Sequence, residues 1–321
     1  MLVYLFWNQA IPRWPSSNVP VLNLKGGDIA VHLSGAMAFL SLGLYRMYGA
    51  KRRDTAIRVE WVFWVFFIVA AITILTGRAA LLTIASTALL LWMVRPSKHW
   101  IKPTIIGALA VIFALTLDAE FKSVKSDRSV SAQALVQTFA SIFQETGTSY
   151  YDGSRRWRLE WWTDIWNYTV RGEYFWMGKG YGVNLADDDG YQVYAHGGER
   201  AVLRSPHNSH LTFLARSGVP GFLVWITLNV MFALALLRAY QRARRDGRED
   251  LAKLNLWVLA YWWAFMVNAG FDVFLEGPQG GIWFWSLFGF GLALLIWQKG
   301  EGILNGQNIE AGVRKSTGFS L

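Results

Sequence analysis

Runs of about 16 to 19 largely apolar residues recur along the chain at 28–46, 59–76, 79–94, 103–118, 220–238, 254–270 and 281–298, each close to the length at which an α-helix crosses a bilayer. Between the fourth and fifth runs, from 118 to 216, polar residues dominate. The pattern predicts an all-α polytopic membrane protein with about seven transmembrane helices and one large outward-facing loop containing amphipathic helices. The chain divides accordingly into an N-terminal segment (1–27), a four-helix membrane segment (28–118), the large loop (119–219), a three-helix membrane segment (220–298) and a C-terminal tail (299–321) that reads as solvated and loose.

Charge sets the orientation. The loop after the first run carries Arg46, Lys51, Arg52, Arg53 and Arg58. The loop after the third carries Arg95, Lys98 and Lys102, and the loop after the fifth carries Arg238, Arg242, Arg244, Arg245, Arg248 and Lys253. These three loops share one side by parity, and short basic loops mark the cytoplasmic side. The expected location is the inner (cytoplasmic) membrane, multi-pass, with the large loop facing the periplasm or exterior. The same parity puts the N-terminus outside. Its opening MLVYLFW lacks the basic flank of a secretory signal, and reads as part of an outward tail or as the stump of an earlier span.

Composition narrows the chemistry. The net charge of +9 sits mostly in short loops rather than on a soluble basic domain, which argues against nucleic-acid binding. With no Cys there is no disulfide framework, thiolate metal site or Cys nucleophile. Within the large loop, 132–143 reads as one amphipathic helix. Over 154–170, Trp157, Trp161 and Ile165, with Trp162 and Trp166, fall at helical spacing opposite Arg155, Arg156, Glu160, Thr163 and Asn167. These indoles read either as interface anchors or as a platform that stacks on sugars. Gly178, Gly180 and Gly182 make a tight, backbone-exposed segment. Asp187, Asp188 and Asp189 follow; they lack metal-ligand spacing and read as a solvated loop.

The stretch HNSHLTFLARSGVPG, from 207 to 221, carries the sharpest signal. A short helix over 208–216 should end at Gly218, with Pro220 early in the next helix. That places His207 at the membrane boundary. A histidine there is either a polar marker of the interface or an acid/base group working near neutral pH. His210, one turn on, either lines the same site or packs beneath it. Arg78, at the outer end of a hairpin of spans in TGRAALL, either snorkels to the surface or grips a phosphate with its planar fork. Arg155, Arg156 and Arg158 are further anion candidates on the loop helix, and Arg216 another at the helix break.

These segments together resemble the O-antigen ligase superfamily, which takes in O-antigen and exopolysaccharide polymerases and bacterial protein O-oligosaccharyltransferases. The family motif is His, then Asn, Ser or Gln, nine residues, Gly, two residues, then Gly, Thr or Tyr; here it reads His207, Asn208, nine residues, Gly218, Val219, Pro220, Gly221. RLEWW at 158–162, GKGYG at 178–182 and Arg78 in TGRAALL resemble further family stretches, and the similarity covers roughly 28–298. Members usually have more spans than are read here. The resemblance implies a metal-independent, inverting membrane glycosyltransferase without a cofactor. His207 would be the base and Arg78, Arg158 and Arg155 the binders of the donor diphosphate. Asn208, His210, Trp161 and Trp162 would contact the acceptor or glycan. The implied partners are an undecaprenyl-diphosphate-linked glycan donor, an acceptor (lipid A core, a growing glycan or a protein) and the bilayer, with no nucleic acid. The competing class, a transporter or flippase of the same lipid-linked oligosaccharide, would be expected to carry ionisable groups deep in several spans, where His32 and Asn268 are nearly alone.

Overall fold

The computed structural model describes residues 25–48, 77–95, 149–192 and 203–317, with isolated positions between them. Helix α1 spans Gly26–Ser41, followed by a 3-10 turn at Leu44–Tyr48; α2 spans Arg78–Val94. The large loop supplies α3 (Ser149–Val170) and the short α4 (Leu185–Asp188), and α5 (Ser209–Arg245), α6 (Glu249–Ala269) and α7 (Pro278–Thr317) complete the order. One departure from an all-helical chain is a two-residue antiparallel pair, β1 (Phe121–Lys122) with β2 (Ser129–Val130).

Five of the seven expected spans fall on α1, α2, α5, α6 and α7. The 103–118 span and the 132–143 helix lie outside the described residues, and of the 59–76 span only helical positions 62–63, 65–66 and 68 are described. Among the described helices, Ser209–Arg245 and Gly280–Gly300 are long and apolar enough to cross a membrane. They leave large apolar side chains such as Val224, Met231, Ile282 and Ile296 uncovered, which suits lipid as the surrounding solvent. The tail expected to be loose from 299 is instead helical to Thr317, a continuation of α7.

Helix α6 is the hub, packed against α1, α2 and α5. Its core is aromatic: Phe265 is buried beside Phe274 and Phe284, and Phe232 of α5 stacks on Phe288 of α7. Small residues let the helices approach. Gly35 of α1 lies against the Tyr261 ring, and its carbonyl accepts a hydrogen bond from Trp257 Nε1 at 2.9 Å. Polar side chains pair directly between the helices, as is common in bilayer packing: Trp262 Nε1 donates to Asn229 Oδ1, the Asn255 and Gln298 amides pair reciprocally, and His32 Nδ1 meets the Tyr261 hydroxyl at 2.6 Å.

Helix α5 is two helices across a kink. Asn208 caps its start by accepting from the Leu211 amide, and Arg242, Arg244 and Arg245 in its last turn favour the negative end of the helix dipole. Gly218, at φ 66° and ψ −171°, breaks the run where the sequence places a helix end, and Pro220 follows. The break turns 209–217 back toward the longer helix, so that Phe213 stacks on Trp225 at 4.2 Å between ring centroids. The large loop docks on this short arm, where Trp161, Ile165, Leu185 and Ala186 bury against Leu214 and Ala215.

Candidate active site

Three elements hold His207. Upstream, Trp162 of α3 donates from Nε1 to the Pro206 carbonyl at 2.8 Å; downstream, Asn208 starts α5. From the side, the Trp157 ring packs on the imidazole with centroids 6.2 Å apart. Between these anchors His207 takes φ 53°, the sole left-handed residue other than glycine among the described residues. Such a conformation costs on the order of 1–3 kcal/mol and persists only where the surroundings impose it, which directs attention to the side chain it aims.

That side chain, 28% exposed, meets Asp272 in the loop between α6 and α7, with Nδ1 and Oδ1 3.4 Å apart. A carboxylate only accepts, so the proton is assigned to Nδ1 and Nε2 carries the lone pair. The separation is loose for a hydrogen bond, as pairs of this kind often are before substrate tightens them. Asp272 is held in turn. Lys25, at the start of α1, donates to both carboxylate oxygens at 2.8 Å, the Val273 amide donates to Oδ1 at 2.8 Å, and the Ser209 hydroxyl donates to the Asp272 carbonyl at 2.9 Å. Burial pushes the Asp272 carboxyl up, but the His207 hydrogen bond and the Lys25 charge outweigh it and hold it well below the usual carboxylate range. The result is a His–Asp pair with a lysine neutralising the carboxylate. Asp272 and Lys25 are absent from the residues that spacing singled out.

Arg78 opens α2 at the same end of the bundle. A Cβ built on Gly27 would lie 3.4 Å from the Cβ of Ala79 and 2.4 Å from Asn268 Oδ1, so the first turns of α1 and α2 meet the last turn of α6 at Asn268, one helical turn before Asp272 in sequence. Arg158 is half-buried on α3, next to the Trp157 that covers His207. Arg155 belongs to α3, with its side chain outside the described residues.

Four sequence expectations need correction. His210 donates from Nε2 to the Met266 carbonyl at 3.0 Å and accepts from Trp225 Nε1 at 3.1 Å, so both ring nitrogens are committed to packing beneath the site. Trp161 is 0% exposed, stacked on Tyr191, and donates to Asp189; it is a core residue rather than a platform for sugars. Trp162 spends its N–H on Pro206 and orients His207. In the acidic run, Asp187 and Asp188 are exposed as expected, but the Asp189 carboxylate is buried and accepts from Lys179, Trp161 and Tyr168.

Lys179 belongs to the glycine segment, which is a strap rather than an exposed turn. The amides of Lys179 and Gly180 donate to the carbonyls of Ala215 and Arg216 at 2.8 and 3.0 Å, and the Val219 amide donates to the Phe175 carbonyl at 2.8 Å. Arg216, read as an anion candidate, donates to the carbonyls of Gly180, Tyr181 and Val183 and completes this strap. Gly178 and Gly218 sit back to back at its centre, both at positive φ, where any Cβ would strike the opposite backbone. The two glycine stretches read separately in the sequence are therefore the two sides of one contact, and it clamps the kink of α5.

Among the described residues, no three His, Asp or Glu side chains are grouped to hold a metal ion. A search of curated proteins found no match. A family model described as O-antigen ligase matches residues 62–226, more than half of the chain, and its span takes in Arg78, α3, the glycine strap, His207 and the kink at Gly218. The chain belongs to the O-antigen ligase family.

Proposed function

We propose that the chain transfers a glycan from an undecaprenyl-diphosphate carrier to an acceptor hydroxyl at the outward face of the inner membrane, with inversion and without a metal. Family membership implies glycosyl transfer with a lipid-linked glycan and an acceptor as partners. The finer reading rests on one observation, the His207–Asp272 pair. In it, His207 Nε2 takes the proton of the acceptor hydroxyl while Asp272 orients Nδ1–H and stabilises the imidazolium that forms. The acceptor oxygen bonds to the anomeric carbon from the face opposite the leaving group, and the carbon–oxygen bond to the diphosphate breaks. The departing lipid diphosphate is a stable anion that calls for positive charge more than for a proton. Arg78, Arg158 and Arg155 supply that charge. Asn208, which borders His207, is the acceptor-side contact.

Purified chain given a polyprenyl-diphosphate-linked oligosaccharide and a mixture of acceptors tests this. Growth of the lipid-linked glycan identifies a polymerase; label on lipid A core identifies a ligase, and label on peptide a protein glycosylating enzyme. Arg78→Lys should reduce transfer about tenfold, because an ammonium keeps the charge but loses the bidentate grip; removing such a donor outright costs roughly 10²–10³. Full activity of that variant would assign Arg78 to snorkelling at the surface.

A further inference from the structure

The glycine strap presents side chains that the transfer reaction does not use. Trp176 and Met177 are 74% and 82% exposed, the two most exposed large apolar side chains among the described residues, and Tyr181 is 67% exposed. They cannot withdraw inward. Hydrogen bonds from Val219 to Phe175 on one side, and from Lys179 to Ala215 and Gly180 to Arg216 on the other, pin the backbone on both flanks. The Gly178–Gly218 contact pins its centre, and among the described residues the ring contact of Trp176 is with the edge of Phe175. An indole and a thioether held rigidly outward need a partner that is not water.

Position identifies the partner. The strap is bonded to residues 215–219, immediately before the 220–238 run enters the membrane, so Trp176 and Met177 lie at the depth of that entry. Along the same helix Leu223 and Val224, one turn further in, are 57% and 69% exposed, and they begin the apolar surface that α5 offers to lipid. Trp and Tyr favour this zone, where an apolar ring meets acyl chains and its polar edge stays with head groups. We infer that residues 175–181 form a bilayer anchor: Trp176, Met177 and Tyr181 insert into the head-group layer of the outward leaflet and fix the height of the α5 kink in the membrane. Since the arm that carries His207 starts from this kink, the anchor also sets the depth at which that histidine works.

The absence of Cys from the sequence makes the test clean. Met177→Cys is labelled with an environment-sensitive fluorophore in the full chain and reconstituted in nanodiscs of phosphatidylethanolamine and phosphatidylglycerol. Leu223→Cys serves as the lipid-facing reference, and Thr163→Cys, on the exposed face of α3, as the aqueous one. The label at 177 should be blue-shifted, quenched by lipids brominated high on the acyl chain and protected from iodide, as at 223. Quenching by iodide with no effect of brominated lipid, as at 163, would overturn the anchor. Protection that appears only when lipid A core or another acceptor is added would overturn it in favour of acceptor docking. None of these readouts depends on transfer, so they stand or fall apart from the proposed reaction.

Discussion

His207→Ala should lower glycan transfer by roughly 10²–10⁴-fold, the range a positioned general base contributes, while the chain still inserts and melts near the wild-type temperature. The left-handed φ of 53° makes alanine no better suited to the position than histidine, and the imidazole is part-exposed at 28%, so the larger effect falls on chemistry. Asp272→Asn should lower transfer by roughly 10²-fold, because an amide in place of the carboxylate no longer secures the tautomer with Nε2 free. The decisive comparison is the double variant. If Asp272 acts through His207, Asp272→Asn costs nothing further once His207 is alanine, whereas independent roles would multiply. Lys25→Met should fall between wild type and Asp272→Asn, with Lys25→Arg restoring most of the loss, since Lys25 donates to both oxygens of the carboxylate.

The pH dependence follows from the depressed Asp272. A carboxyl held below its ordinary value of about 4 contributes its stabilisation above that pH and loses it only as pH falls through the lower folded value. Asp272 is therefore ionised throughout any practical assay. A loss of transfer near neutral pH does not arise from Asp272.

Gly218→Ala should destabilise the folded chain by about 3 kcal/mol or more. The backbone conformation alone, in a region essentially reserved for glycine, costs on the order of 1–3 kcal/mol. The added Cβ would lie 2.4 Å from the Phe175 carbonyl oxygen and 2.9 Å from the Gly178 and Met177 amide nitrogens, all backbone atoms that cannot swing aside. Relief would mean breaking the Val219–Phe175 and Lys179–Ala215 hydrogen bonds and freeing the kink. Gly180→Ala provides the comparison. Its φ of 82° is also left-handed, but nothing lies within 4 Å of its Cβ position, so only the backbone penalty of about 1–2 kcal/mol applies. Thermal melting of the two variants in one detergent decides the point: Gly218→Ala should melt far lower and accumulate poorly in membranes, and equal melting would remove the strap from its clamping role.

Local features were legible in the sequence. The amphipathic pattern of 154–170 became α3, with Trp161 and Ile165 inward and Arg156, Glu160, Thr163 and Asn167 outward, and the kink fell at Gly218. Each follows from one segment's own periodicity and backbone preference. The partners were not legible. Asp272 lies 65 residues from His207, and Lys25 lies 247 residues from Asp272; their meeting depends on how α1, α6 and α5 pack, for which no local signal exists. The misread residues share that cause. His210, Trp161 and Asp189 each have a polar group, and residue type alone does not say whether that group faces substrate or an internal donor such as Trp225 Nε1 or Lys179 Nζ. An outward carboxylate just after a span, facing a loop histidine, is the signal that would have raised Asp272.

The most direct measurement is single-turnover transfer by purified chain from a polyprenyl-diphosphate-linked oligosaccharide of known anomeric configuration, with the product linkage read by NMR for wild type beside His207→Ala. Product of inverted configuration from wild type, reduced at least about 10²-fold in the variant, is the expected result. Retained configuration, or undiminished product from His207→Ala, would contradict displacement driven by the His207–Asp272 pair.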